Sequence, residues 1–267
     1  RGALAVAGGR VYVPFGGLLG DCGNYVGYVS AVATNGTGPA STYAVPTARE
    51  GGIWAASGPA IAPNGDVYVA VGNGASFRGA YDGSDSVLRL SADLSRRISY
   101  FAPKNWGSEN AEDADLGSTG PVLLPGGLSL VSGKNGEVYL LGATDLGGID
   151  GQRASVGGCR GFGGIAYAQG AAYVPCTSGL LRIDVTNGAL RKAWQVNAAV
   201  NGSPVVGGNA VYRLVARGGV LDGLVAGGGR WLPGPNVGVA SRFSSPVLAG
   251  GLVLVGTNSG VTAVTPG

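Results

Sequence analysis

The chain has 267 residues, of which 53 are glycine and none is histidine or methionine. Its 45% hydrophobic and 12% charged content excludes an intrinsically disordered chain, which combines low hydrophobicity with high net charge. The absence of histidine excludes a Ser-His-Asp triad, a Cys-His pair and an HExxH zinc site. The net charge of +3 is spread along the chain without a lysine or arginine run, so nucleic acid is not an expected partner.

Six segments repeat one pattern, in which a small-residue or Ser-Pro-Val lead and a Gly-rich turn precede an alternating strand. They span 3–13, 58–69, 120–131, 164–174, 203–212 and 245–255. Two short β-runs joined by Gly-Gly, Asn-Gly or Gln-Gly indicate hairpins, because these turns require a positive φ. Further β-runs follow, and four antiparallel strands per unit predict an all-β fold, a β-propeller with about six four-stranded blades. A stacked β-sandwich array is the nearest alternative.

A tyrosine recurs in most of these units, and we expect it to occupy one blade position and to pack between neighbouring blades. The residues are Tyr12, Tyr68, Tyr139, Tyr173 and Tyr212.

The first two units differ from the others in carrying insertions, at 14–24, 72–85 and 104–118. Long loops on a rigid scaffold frequently bind ligands, so these loops are the predicted binding region, with plain surface loops as the alternative. The last unit, 245–264, has only three β-runs. We expect residues upstream of Arg1 or a neighbouring chain to supply its outer strand. Residues 1–267 are expected to form one propeller domain, and further blades upstream are left open.

Three stretches have a recognisable motif. They are 52–60 with 67–74 (GIWAASGPA and VYVAVGNG), 84–90 (SDSVLRL) and 115–124 with 133–141 (DLGSTGPVLL and GKNGEVYLL). These motifs resemble the pyrroloquinoline-quinone-like (PQQ-like) propeller repeat over essentially the whole chain. That family includes quinoprotein alcohol dehydrogenases, polyvinyl-alcohol dehydrogenase and a non-catalytic propeller lipoprotein of outer-membrane assembly. The resemblance implies the fold more strongly than an activity.

The catalytic relatives imply a quinone stacked on a tryptophan, with Ca²⁺ beside a catalytic aspartate and a disulfide between adjacent cysteines. This chain has no adjacent cysteines. By this resemblance the weak candidates for cofactor contact are Trp54, Asn73 and Trp106. The weak candidates for metal ligands are Asp82, Asp85, Glu109, Asp113 and Asp115. In an enzyme, Asp113 or Asp115 would be the general base, because no histidine is available.

A structural interpretation of the same residues competes with this one. Residues 109–115 would then form a solvated acidic loop, Trp54 and Trp106 would pack within and between blades, and 82–85 would form an Asx turn. We favour this interpretation, because Ca²⁺ takes about 6–8 oxygen ligands and the family's full site cannot be matched residue by residue.

Two of the three cysteines are placed to form a disulfide. Cys159 and Cys176 flank the opening hairpin of the fourth unit, where antiparallel pairing would bring their Cα atoms within disulfide range. This pairing, with the family resemblance, favours an extracytoplasmic location, whether secreted, periplasmic or at the cell surface. Three buried reduced thiols are the alternative, and the state of Cys22, on an inserted loop, is left open.

These observations predict a non-catalytic extracytoplasmic β-propeller, a binding scaffold of the cell envelope without a bound cofactor. Its partner would be a protein, polymer or glycan at the loops of blades one and two. The first alternative is a dehydrogenase of an alcohol, sugar or polymer that depends on PQQ and Ca²⁺. The second is a structural subunit of a surface assembly. No apolar stretch approaches the ~18 residues needed to span a membrane.

Overall fold

The computed structural model describes residues 2–17, 21–197 and 202–266. The chain folds into six β-sheets that follow one another in sequence order as the blades of a β-propeller. In the described residues, helix is limited to α1 (Trp106–Ala111) and one 3₁₀ turn (Leu116–Ser118). The predicted all-β propeller is therefore confirmed.

Each blade takes its strands from a nearly continuous part of the chain. Blade 1 has β1 (Ala5–Ala7), β2 (Arg10–Phe15), β3 (Tyr28–Ala33) and β4 (Ser41–Ala44), and blade 2 has β5 (Ala60–Ile61), β6 (Val67–Val71), β7 (Ser86–Leu90) and β8 (Arg97–Ala102). Blade 3 has β9 (Val122–Leu124), β10 (Leu128–Ser132), β11 (Glu137–Gly142) and β13 (Ala154–Gly157), while β12 (Gly148–Ile149) joins blade 2. Blade 4 has β14 (Ala166–Ala168), β15 (Ala171–Cys176), β16 (Gly179–Thr186) and β17 (Ala189–Asn197). Blade 5 has β18 (Val205–Gly207), β19 (Ala210–Val215), β20 (Val220–Val225) and β21 (Trp231–Leu232), and blade 6 has β22 (Val247–Ala249), β23 (Leu252–Thr257) and β24 (Gly260–Val264).

The strands within a blade pair in sequence order and antiparallel, from the first strand to the last. Blade 2 gains a fifth strand, because β12 pairs in parallel with β8. Blade 6 has three strands among the described residues, which agrees with the three β-runs expected from its sequence. The edge of β24 therefore lacks a paired neighbour within the part of the chain that the structure describes.

Tyrosine hydroxyls on the second strands tie neighbouring blades together. Each donates a hydrogen bond to an alanine carbonyl just after the third strand of the following blade. The pairs are Tyr12 with Ala92 (2.9 Å), Tyr68 with Ala143 (2.6 Å) and Tyr173 with Ala226 (3.3 Å). Tyr212 also lies on a second strand. The expected shared position was wrong for Tyr139, which lies on the third strand β11 and accepts from Asn135, but its ring packs between blades 2 and 3, 5.1 Å from that of Phe101.

The core consists of apolar layers between successive blades. Strands β6 and β15 are buried at every position, as expected for strands covered on both faces. The outer faces of blades 1 and 6 instead expose apolar side chains, with Val6 65% and Val261 75% accessible. No helix among the described residues has the length and apolarity to cross a bilayer.

Candidate functional site

All of the candidate cofactor, metal and catalytic residues lie at one end of the propeller. Because four antiparallel strands return the chain to the end at which it entered, the segments that connect blades lie on the same end as the loops between second and third strands. We call this end the connecting face. The inserted loops 72–85 and 104–118 lie here, as do the described parts of 14–24; its residues 18–20 lie outside the described chain.

Three aromatic rings from three different blade connections meet on the connecting face. Trp54 precedes blade 2, Phe162 precedes blade 4 and Phe243 precedes blade 6. The ring centroids of Trp54 and Phe162 are 6.0 Å apart, and those of Phe162 and Phe243 are 6.4 Å apart. Connections that are two blades apart approach each other only near the propeller axis, so the rings mark the hub.

Asp115 anchors a buried carboxylate cluster beside this hub. Its side chain is fully buried, and one oxygen accepts a hydrogen bond from the Gly117 amide at 2.7 Å, which caps the 3₁₀ turn. The other oxygen lies 2.8 Å from the Lys134 ammonium. Lys134 also pairs with Asp113, whose side chain is largely exposed.

The Lys134 ammonium links the carboxylates to the hub. It lies 5.3 Å from the centre of the Trp54 ring, within cation–π range. Burial lowers the pKa of Lys134, but the charges of Asp115 and Asp113 outweigh it, so the pKa is raised above its usual value. The side chain is therefore a fixed cation at neutral pH.

Asp85 and Glu109 form the inner part of the cluster. Asp85 is fully buried, and its Oδ1 accepts from the Leu116 amide at 2.8 Å. Burial, followed by the charges of Glu109 and Asp115, raises the pKa of Asp85 well above its ordinary value. In the described chain no N–H or O–H group donates to its Oδ2. The raised pKa favours the protonated, neutral form of Asp85.

The remaining candidates have structural partners of their own. The Asn73 amide contacts Glu50 at 3.4 Å. Asp82 accepts from the amide and hydroxyl of Ser84, as an Asx turn does, and from the Thr47 hydroxyl at 2.8 Å. Trp106 is almost buried in α1, edge-on to the Tyr81 ring at 5.2 Å. The structure therefore brings Asp113, Asp115 and Trp54 into contact with Lys134, with Asp85 and Glu109 close enough to Asp115 to interact electrostatically. Asn73, Asp82 and Trp106 have other partners.

Sequence analysis missed two residues that organise the site. Lys134 is the single charged residue between Asp115 and Glu137, and that isolation in an apolar stretch was the available signal. Asn110 is buried in α1, donates to the Ser84 hydroxyl at 2.8 Å and to the Ser76 carbonyl at 2.7 Å, and accepts from the Gly74 amide. It thus ties loop 72–85 to loop 104–118, and no sequence pattern indicated this.

The donor set does not fit a Ca²⁺ ion. Calcium requires about 6–8 oxygen ligands, but Lys134 holds Asp113 and Asp115 with a positive charge of its own. The carboxyl oxygen of Asp85 that has no donor belongs to a group whose raised pKa favours the neutral form. Among the described residues, no group of three or more His, Cys, Asp or Glu side chains is arranged to hold a metal.

The predicted disulfide between Cys159 and Cys176 is confirmed, with a Cα–Cα distance of 5.6 Å. It fastens the connection that carries Arg160 and Phe162 to the end of β15. The Phe162 amide also donates to the Pro175 carbonyl at 2.9 Å, and the Thr177 amide donates to the Arg160 carbonyl at 2.9 Å. Phe162 is therefore held at the hub by a covalent bond and by backbone hydrogen bonds.

Solved structures with the same fold include a quinohemoprotein alcohol dehydrogenase, ADHIIG, from Pseudomonas putida HK5. It is 17% identical with a TM-score of 0.72, over 95% of this chain and 55% of that one. BamB from Moraxella catarrhalis is 16% identical with a TM-score of 0.62, over 99% of this chain and 82% of that one. A europium-containing methanol dehydrogenase is 13% identical with a TM-score of 0.72, over 97% and 66%.

These similarities establish a propeller fold shared with quinoprotein dehydrogenases and with BamB. The chain spans just over half the length of the quinohemoprotein dehydrogenase. No protein-family model matches the sequence, and no curated protein matches it.

Proposed function

We propose that this protein is a non-catalytic member of the PQQ-like propeller family and serves as a binding scaffold of the cell envelope. The observation that carries the proposal is the Lys134 ammonium, which pairs with Asp113 and Asp115, the two carboxylates that would be general-base candidates in an enzyme. The shared propeller fold is compatible with this proposal and also with a dehydrogenase.

The cluster lacks a suitable general base. A base must reach the proton that it removes from a substrate. Both oxygens of Asp115 already accept hydrogen bonds, from Gly117 and Lys134, and its side chain is fully buried. Asp85 is buried with a raised pKa, which favours the protonated form. Asp115 and Asp85 are therefore buried supports of the connecting-face loops, and Asp113, although largely exposed, is paired with Lys134.

Binding is assigned to the inserted loops of blades 1 and 2. Phe77, at the outer part of loop 72–85, is 54% exposed beside the exposed Arg78. An exposed aromatic next to an arginine is typical of the residues that dominate protein interfaces. Asn110 fixes this loop, which lowers the entropic cost of binding. The partner is a protein, polymer or glycan.

Two further features belong to the same proposal. The disulfide supports an extracytoplasmic location, because such bonds persist in oxidising compartments. The open edge of β24 is a site for a fourth strand, supplied by a neighbouring chain or by residues upstream of Arg1.

The alternative function, a PQQ- and Ca²⁺-dependent dehydrogenase, is favoured by one observation, the Trp54 ring beside a buried aspartate and lysine.

A dye-linked dehydrogenase assay with added PQQ and Ca²⁺ decides between the two functions. The substrates are primary alcohols, aldoses and polyvinyl alcohol, and the matched variant is Asp115→Asn, which retains the cap on Gly117. We expect no turnover above background from either protein. Turnover by the wild type that Asp115→Asn abolishes, while its fold is intact by circular dichroism, would overturn the proposal.

A further inference from the structure

We propose that the hub surface, formed by Trp54, Phe162, Phe243, Arg160 and Arg242, binds an acidic segment of a partner protein that carries an aromatic or aliphatic side chain. The inference rests on the proposed scaffold function and names the chemistry of one of its partners.

Arg242 offers a guanidinium group that no carboxylate of the described chain engages. It lies 4.9 Å from the Phe243 ring and 5.8 Å from the Phe162 ring, and its side chain is exposed. No acidic side chain in the described residues lies within ion-pair distance of it. A guanidinium stacked on aromatic rings keeps its N–H groups available at its edge, where they match a carboxylate in a two-pronged pair.

Arg160 supplies a second cation next to Phe162. Its Nε donates to the Lys134 carbonyl at 2.9 Å, which orients the side chain. It forms no ion pair with an acidic residue of the described chain. The carboxylates of Asp113 and Asp115 are paired with the ammonium of Lys134. The hub therefore has two exposed guanidinium groups that form no ion pair with a carboxylate of the described chain.

The apolar part of the surface is held in place before any ligand arrives. The connections before blades 2, 4 and 6 each contribute one ring, and the Cys159–Cys176 disulfide fixes the segment that carries Arg160 and Phe162. Aromatic and arginine side chains dominate the binding energy of protein interfaces, and a preorganised surface loses less entropy on binding. Charge complementarity selects an acidic partner.

The test is fluorescence polarisation with a labelled twelve-residue peptide of glutamate, glycine and two phenylalanines. Control peptides replace every glutamate with lysine, or both phenylalanines with glycine. Protein variants are Arg242→Gln, Arg160→Gln and their combination. Arg230→Gln is the matched control, because Arg230 is an exposed arginine on the turn between β20 and β21, at the opposite end of the propeller.

We expect the acidic aromatic peptide to bind at least tenfold more tightly than either control peptide. Each single hub variant should weaken binding about three- to tenfold, the combination more, and Arg230→Gln less than twofold, which matches the loss of one charged hydrogen-bonding partner. Thermal midpoints of all variants should stay within about 2 °C, since the changed side chains are exposed.

Equal binding of the lysine peptide, or unchanged affinity in the combined variant, would overturn the inference. Binding of labelled polygalacturonate, in the absence of any binding by the peptide, would assign the surface to an acidic glycan instead, and would equally overturn it. Failure of the peptide-binding test is distinguishable from failure of the scaffold function, because only turnover in the dehydrogenase assay contradicts the scaffold function.

Discussion

Lys134 decides what the buried carboxylates of this protein do. The residue is 9% exposed, yet it contacts Asp113, the fully buried Asp115 and the face of Trp54. A buried ion pair contributes little net stability compared with an apolar pair, but the loss of one partner leaves an uncompensated charge. The role of Lys134 is therefore to make the burial of Asp115 possible.

Lys134→Met should lower the free energy of unfolding by about 3–5 kcal/mol, because it leaves Asp115 buried without an opposite charge. Urea denaturation at pH 7 measures the change. Lys192→Met on the exposed strand β17 is the matched control, with an expected change within ~0.5 kcal/mol. Adding Asp115→Asn to Lys134→Met should recover part of the loss. A loss below ~1 kcal/mol for Lys134→Met would contradict this role.

Asp85 should make stability depend on pH. Burial and the charges of Glu109 and Asp115 raise the pKa of Asp85 above its ordinary value of 3.8. The folded state therefore holds a proton that the unfolded state releases, and the contribution to stability falls as the pH rises from about 4 through the raised pKa. Asp85→Asn removes the titration and keeps an oxygen for the Leu116 amide.

Urea denaturation of the wild type and Asp85→Asn across pH 4–8 tests this effect. The variant should gain stability relative to the wild type as the pH rises. Asp93→Asn is the control, because hydrogen bonds from Ser91 and Ser95 lower the pKa of Asp93 to about 2, so its contribution is lost only at acidic pH. A constant difference between Asp85→Asn and the wild type across this range would contradict the raised pKa of Asp85.

At the scale of elements, loop 104–118 differs most from its sequence-based interpretation, in which its residues 109–115 form a solvated acidic loop. Only part of it is solvated. Its helix α1 has six residues, and no side chain caps its first turn, so it lacks the periodic stripe and capping signals that indicate a helix. The helix forms because Trp106 and Asn110 are buried by tertiary contacts with Tyr81 and Ser84. Such contacts are not visible in a local pattern.

The disulfide is the element that fixes the connection before blade 4. Replacing both Cys159 and Cys176 with alanine should lower the free energy of unfolding by about 3 kcal/mol, by the loop-closure entropy of a cross-link spanning 17 positions. Denaturation with and without reductant measures it: the reductant should destabilise the wild type and leave the variant unchanged. A wild type that is indifferent to reductant would contradict the assignment.

For the whole molecule, the repeat could be predicted because each blade carries its own turn signals. Each of the six repeated segments holds the first strand of a blade and at least half of its second strand, as 164–174 does with β14 and β15. The strands β12 and β21, with two residues each, could not be predicted, because their pairing depends on neighbouring strands and not on local pattern. The candidate site, like the fold, could be predicted from the sequence only in part. Asp85, Glu109, Asp113 and Asp115 were candidates, but the lysine that neutralises two of them is about 20 residues away in sequence.

The most direct test of the account is the thermal unfolding midpoint of the wild-type protein with and without millimolar Ca²⁺ and PQQ. A ligand that binds the folded state raises the midpoint according to its affinity and concentration. Because Lys134 already provides the positive charge at Asp113 and Asp115, we predict the same midpoint in both conditions. A rise of several degrees in the presence of Ca²⁺ that Asp115→Asn abolishes would show a metal site at these carboxylates and would contradict the account.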